Sequence, residues 1–129
     1  MKNIYQIFIL LFVITITGKI SAQNITEFTS NLTKGDVPMM AQQLDDNVEI
    51  TILNNNTYNK EDAQTILDNF FVGKNESTYK AVHRGSTDNK DAYYQIGELM
   101  TQSENYRTYV FTKKVAGDFL IQELRIEKL

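Results

Sequence analysis

The chain is 129 residues long, carries 13 basic and 16 acidic residues for a net charge of −3, and has one histidine and no cysteine. The lack of cysteine excludes thiolate nucleophiles, cysteine-ligated zinc and disulfide frameworks. The acidic balance argues against nucleic acid or an anionic membrane surface as a partner.

In chain order, the first segment is the most specific. Met1-Lys2-Asn3 is a short basic start, residues 4–16 are an almost unbroken apolar run, and residues 17–22 are a more polar tail ending in Ser21-Ala22. This is the layout of a secretory signal peptide, with cleavage expected after Ala22 and the product exported to the periplasm or secreted. The apolar run falls well short of the roughly 20 residues that span a hydrocarbon core. A mature chain starting at Gln23 loses Lys2 and Lys19, so 11 basic residues face 16 acidic ones and the net charge becomes −5. Residues 23–129 are expected to form one domain, which at this size buries about two-thirds of its surface. Without disulfides, packing alone must stabilise it.

Ile25, Phe28 and Leu32 fall on one face of a helix that stops at Gly35. Asp36 is placed to cap a second, short helix with Pro38 in its first turn and Met39, Met40 and Leu44 as apolar contacts. Residues 48–53 alternate as a strand and end in the turn signal Asn54-Asn55-Asn56. A longer helix follows, capped by Asn59, with Glu61 and Asp62 in its first turn and Gly73 beyond its end. Ala63, Ile66, Leu67, Phe70 and Phe71 recur at helical spacing, so both phenylalanines are expected in the core.

Four strands are then expected at 79–86, 92–101, 106–114 and 119–127, separated by short polar turns. Strands joined this way make an antiparallel meander. Gly97 lies inside a strand, where glycine marks a bulge or bend. Both faces of the meander carry large residues: Tyr94, Ile96 and Met100 alternate with Tyr93 and Leu99, Val110 with Tyr109 and Phe111, and Leu120, Leu124 and Ile126 with Phe119 and Ile121. Helices can cover only the concave face. The convex face is then apolar enough to call for a second copy or another protein, with Tyr109, Phe111, Phe119 and Ile121 the residues to watch.

The order α-α-β-α-β-β-β-β is that of the cystatin-like, nuclear transport factor 2-like roll, an α+β class in which N-terminal helices pack on a curved antiparallel sheet. Five segments sharpen the likeness: Asn69-Phe70-Phe71, His83-Arg84-Gly85, the stretch 94–99, Tyr106-Arg107-Thr108-Tyr109, and the stretch 120–127. Together they resemble a family of small exported bacterial proteins catalogued as domain of unknown function 4783. The resemblance covers residues 23–129 and implies the nuclear transport factor 2-like fold and export. It carries no chemistry with it. The chain departs from the family pattern after Phe71, where Gly73-Lys74-Asn75-Glu76 stands in place of prolines.

The chemical candidates are few. His83, the one histidine, alternates with Lys80, Val82, Arg84 and Ser86, which places it toward the concave side. A general base there needs a partner to fix its tautomer, and Glu98 and Glu123 are the candidates; otherwise His83 is a structural residue. Arg107 and Arg125 could hold an anion, or form salt bridges with Glu98, Glu123 or Glu127. Tyrosines such as Tyr94 could line a pocket or simply suit a strand. His83, Tyr94 and Arg107 are therefore the binding candidates; no catalytic set, metal site or cofactor is assigned. Three readings remain: a non-catalytic module binding a small ligand or protein, a small lyase or isomerase with His83 as base in a concave pocket, or a scaffold acting through the convex face.

Overall fold

The computed structural model describes residues 20–129, with side chains from Asn24 onward. The expected signal segment lies outside the described residues up to position 19; the backbone of residues 20–22 opens the first helix. Helix α1 spans Ile20–Lys34 and α2 Val37–Gln42. Strand β1 (Leu44–Ile52) and the short β2 (Asn55–Thr57) follow, then α3 (Lys60–Phe71). The meander is β3 (Thr78–Ser86), β4 (Ala92–Met100), β5 (Asn105–Val115) and β6 (Asp118–Lys128).

Local chemistry sets the helix ends. The α1 backbone closes in a two-bond motif, with the Gly35 N–H donating to the Leu32 carbonyl and the Asp36 N–H to the Asn31 carbonyl. Gly35 has φ +62°, and a Cβ there would lie 2.8 Å from the Lys74 carbonyl oxygen, so glycine is required twice over. The Asp36 carboxylate accepts from the Met39 N–H and Pro38 sits in the first turn of α2. Asn59 caps α3 by accepting from the Asp62 N–H at 2.8 Å.

The six strands are ordered β2-β1-β6-β5-β4-β3. The meander is antiparallel as expected, but β1 runs parallel to β6, its neighbour in the sheet and far from it in sequence. Strand β1 starts at Leu44, earlier than the expected 48, so Leu44 belongs to the sheet and not to α2. The turn after β1 is made by Leu53, in left-handed conformation, and Asn54; Asn55 and Asn56 pair back on β1 as β2.

The helices fill the concave side. Phe28, Leu32, Met40, Leu67, Phe70 and Phe71 meet Val48, Ile50, Leu99, Val110, Ile121, Leu124 and Ile126 in one core. Phe70 and Phe71 are 8% and 6% exposed and stack edge-on at 4.9 Å, so both anchor α3 as expected. Gly97 does not itself bulge; its pairing with β5 is regular. The bulge lies opposite it on β3, where Ala81 pairs with Gly97 and His83 with Ile96, leaving Val82 as the extra residue. A second irregularity leaves Gln122 unpaired against β5, where Phe111 meets Glu123 and Thr112 meets Ile121.

Candidate functional site

The two bulges decide which side chains face out. A one-residue slip exchanges the faces of a strand. Beyond Val82 the parity of β3 is reversed, so His83 shares a face with Ile96, opposite the buried Gln95, Gly97 and Leu99. His83 therefore points to the convex side, exposed, and not into a concave pocket. Beyond Gln122 the parity of β6 reverses as well. Ile121 is fully buried, and Phe119 packs edge-on against Tyr93, so these two do not join Tyr109 and Phe111 on the outer face.

The three sequence-derived candidates all lie on the convex face. In register, Gly85, Tyr94, Phe111, Glu123 and Glu49 form one cross-strand row; His83, Ile96, Tyr109, Arg125 and Thr51 form the next; Lys80, Glu98, Arg107 and Glu127 form a third. His83 and Tyr94 are joined by a 2.9 Å hydrogen bond between Nε2 and the phenolic oxygen. Tyr94 stacks on Tyr109 with centroids 6.3 Å apart, and the Arg125 guanidinium lies 5.7 Å from the Tyr109 ring centroid. Arg125 Nε donates to Glu123 Oε1 at 2.6 Å. The outcome is a continuous polar-aromatic line from β3 to β6: His83, Tyr94, Tyr109, Arg125, Glu123. The line was legible only in pieces, as the alternation of Tyr109 and Phe111 with Val110 and as the two-residue spacing of Glu123 and Arg125.

Electrostatics follow from this line. Partial burial raises the Tyr109 pKa first, and the Glu123 charge raises it further against the opposing Arg125. The bond and charge of Glu123, with Glu49 adding from β1, raise the pKa of Arg125. Glu98 and Glu123 do not reach His83; its partner is a phenol, which leaves the imidazole without the carboxylate a general base of this kind uses. Arg107 lies between Glu98 and Glu127 in register. Of the salt bridges expected for the two arginines, the one formed is Arg125–Glu123, along β6 and not across strands.

The concave side offers less room. A hollow of about 60 Å³ between α1 and the β3–β4 ribbon, bordered by Ile25, Thr26, Arg84 and Gln95, is far below the roughly 300 Å³ of a small-molecule pocket. A cleft of about 310 Å³ opens at the mouth of the roll, with Ile52, Ile66, Phe70 and Tyr106 beneath and Leu53, Asn55, Asn69 and Lys74 around it. Nothing in the sequence pattern had pointed to this cleft. Its one cation is engaged: Lys74 Nζ donates to the Phe70 carbonyl at 2.7 Å and lies over the Phe70 ring. Tyr106 hydrogen-bonds Glu104, and burial together with that carboxylate raises its pKa. Among the described residues there is no cluster of three metal-ligating side chains, and no helix is long and apolar enough to cross a membrane.

Three helices packed on the concave side of a bent sheet define an α+β roll of the nuclear transport factor 2-like, cystatin-like class. Solved structures agree: a nuclear transport factor 2-like protein of unknown function from Cytophaga hutchinsonii superposes with TM-score 0.62 over 88% of this chain and 95% of its own, at 11% identity. The family model described as domain of unknown function (DUF4783) matches residues 25–127, and the chain belongs to that family. Family members of known structure from Bacteroides uniformis and Bacteroides ovatus are each 27% identical to it, with TM-scores of 0.68 and 0.67. Each alignment covers 78% of this chain, and 92% and 90% of the respective relative. No curated protein matches the chain.

Proposed function

We propose that the protein is an exported, non-catalytic binding module that engages a protein or small ligand through the convex face of its sheet. The observation that supports this most is the half-exposed line of Tyr94, Ile96, Tyr109 and Phe111 on the side opposite the helices, edged by His83, Arg125 and Glu123. Aromatic and arginine side chains of this kind dominate binding surfaces. The lyase or isomerase reading loses its motive, because its proposed base stands on the open face and bonds a phenol. A face without walls does not separate a reactant from water.

Two measurements test the reading. Amide spectra of labelled protein, titrated with a concentrated extract of exported bacterial proteins and then with a library of small organic fragments, should change at Tyr94, Ile96, Tyr109 and Phe111. Changes confined to Ile66, Phe70 and Tyr106 would move binding to the mouth of the roll and overturn the proposal. Export is checked by the intact mass of protein recovered outside the cytoplasm, which should begin at Gln23. A species retaining residues 4–16 would refute cleavage after Ala22.

A further inference from the structure

The edge of the sheet farthest from β3 is open. Among the described residues, β2 has β1 on one side and no strand on the other. It closes a two-residue hairpin in which Ile52 pairs with Asn55, Thr51 with Asn56 and Ile50 with Thr57. Residues flanking such a turn exchange their backbone bonds, and bonded and non-bonded pairs then alternate along the ladder. Asn55 and Thr57 therefore direct their backbone groups to β1, and Asn56 turns its N–H and carbonyl outward. Among the described residues no loop or helix backbone caps them.

Two hollows adjoin this edge on the side of α3. One is the cleft of about 310 Å³, where Ile52, Phe70 and Tyr106 make an apolar floor and Leu53, apolar yet 42% exposed, makes the rim. The other, of about 370 Å³, lies between Thr57 of β2 and Asp62 and Thr65 of α3. Ile66 borders both, and β2 is their common wall, through Asn55 in the first and Thr57 in the second. Their electrostatics differ. The cation of the first hollow, Lys74, is already held by the Phe70 carbonyl and ring. Asp62 is the charged residue of the second. Its Oδ2 accepts from Asn59 Nδ2 at 2.8 Å, and among the described residues it forms no ion pair. One hollow thus suits an apolar side chain and the other a cationic one.

We propose that the open edge of β2 takes an extended segment of another protein as an added antiparallel strand, with a basic side chain in the Asp62 hollow and, two residues later, an apolar one in the cleft. The site lies on the helix side of the sheet and goes beyond the reading of the convex face. In strand addition, backbone bonds give affinity and alternate side chains give specificity. The ladder sets the order. An antiparallel segment places its first residue opposite Thr57, its second opposite Asn56 and its third opposite Asn55. Thr57 and Asn55 share a face with the buried Ile50 and Ile52, so the first and third residues point toward α3 and the second points away. The second residue exchanges two backbone bonds with Asn56. The first and third stand about 6.6 Å apart along the strand, one in each hollow with Ile66 as the ridge between. The segment therefore reads basic, any, apolar. So short an edge offers few backbone bonds, so binding is weak and the two side chains carry the selectivity.

The probe is an end-blocked peptide reading Ser-Lys-Thr-Leu-Ser, titrated to millimolar concentration into labelled protein at low salt. Amide signals of Asn56, Thr57, Ile66 and Asn69 should move, and those of Tyr94 and Tyr109 should not. Three altered peptides leave the protein untouched. Methylating the threonine nitrogen removes a bond to the Asn56 carbonyl and should weaken binding about fivefold or more. Norleucine in place of lysine should weaken it at least about twofold and remove its salt dependence. The reversed order, Leu-Thr-Lys, sets the ammonium over the apolar floor and should weaken it about fivefold or more. On the protein side, Asp62→Asn keeps an acceptor for Asn59 and should bring the lysine peptide down to the affinity of the norleucine one. Asn56→Pro keeps the ladder to β1, because the N–H it removes faces outward, and should abolish binding. No shift at millimolar peptide, shifts confined to the convex face, or undiminished binding of the methylated peptide would overturn the added strand. Equal binding of the norleucine or reversed peptide would overturn the assigned order. None of these results touches the convex-face reading, which is tested at Tyr94 and Tyr109.

Discussion

Replacing Gly97 with alanine should destabilise the domain by about 2 kcal/mol, an outcome that runs against the usual gain from removing a strand glycine. The backbone of Gly97 is crossed on the concave side by the Tyr79 ring, and a Cβ would run into its hydroxyl and Cζ. The ring must leave. Its departure breaks the 2.7 Å bond in which Gln95 Nε2 donates to the Tyr79 oxygen, and Gln95 is only 2% exposed. A buried donor left unpaired costs about 1–3 kcal/mol. Lifting about 40–60 Å² of ring from the core adds about 1 kcal/mol at about 25 cal/mol per Å². The entropic advantage of alanine over glycine in a strand returns about 0.5–1 kcal/mol, leaving the net figure of about 2. Urea melts of Gly97→Ala measure it directly. The decisive control is the same substitution in a Tyr79→Ala background, where the collision is gone and alanine should be neutral or mildly stabilising. An equal cost in both backgrounds, or a cost under about 0.5 kcal/mol in the parent, would refute the reasoning.

Phe71→Ala should cost about 3–5 kcal/mol in denaturant melts, with Phe70→Ala at the lower end because its ring borders the cleft at the mouth of the roll. Two near-neutral results would remove this face of α3 as a core anchor. Alkaline pH should weaken the fold: Tyr106 and Tyr109 both have raised folded-state pKa values, so their neutral forms are favoured by folding. Their contribution is fully present below the ordinary tyrosine value of 10.0 and is lost as pH climbs through the folded values. Denaturant melts at pH 8 and pH 11 should show the loss, and Tyr106→Phe and Tyr109→Phe should each reduce it.

What the sequence displayed was local. The caps of α2 and α3, the glycine end of α1 and the four meander strands are written in residues a few positions apart, and each forms where expected to within a residue or two. The segments that resemble the DUF4783 family carried the roll itself. Two things were not legible. The pairing of β1 with β6 joins segments far apart in the chain, and no alternation pattern names a partner. The placement of His83 and Ile121 depended on single extra residues, Val82 and Gln122, which leave composition and spacing unchanged yet reverse every side chain beyond them. A face assignment counted along a strand is only as good as the regularity of its ladder. Here a glycine on one strand signalled a bulge carried by the next.

The strand nearest the carboxyl end, β6, sits in the middle of the sheet, between β1 and β5. A polypeptide that emerges amino end first presents β1 with one edge unfilled until β6 appears. Closing that gap means bringing distant parts of the backbone together, the slow step in folds dominated by non-local contacts. The sheet therefore assembles late, and a shortened chain lacking β6 would hold two fragments with no strand between them. Delay of this kind is built into the topology of the sheet.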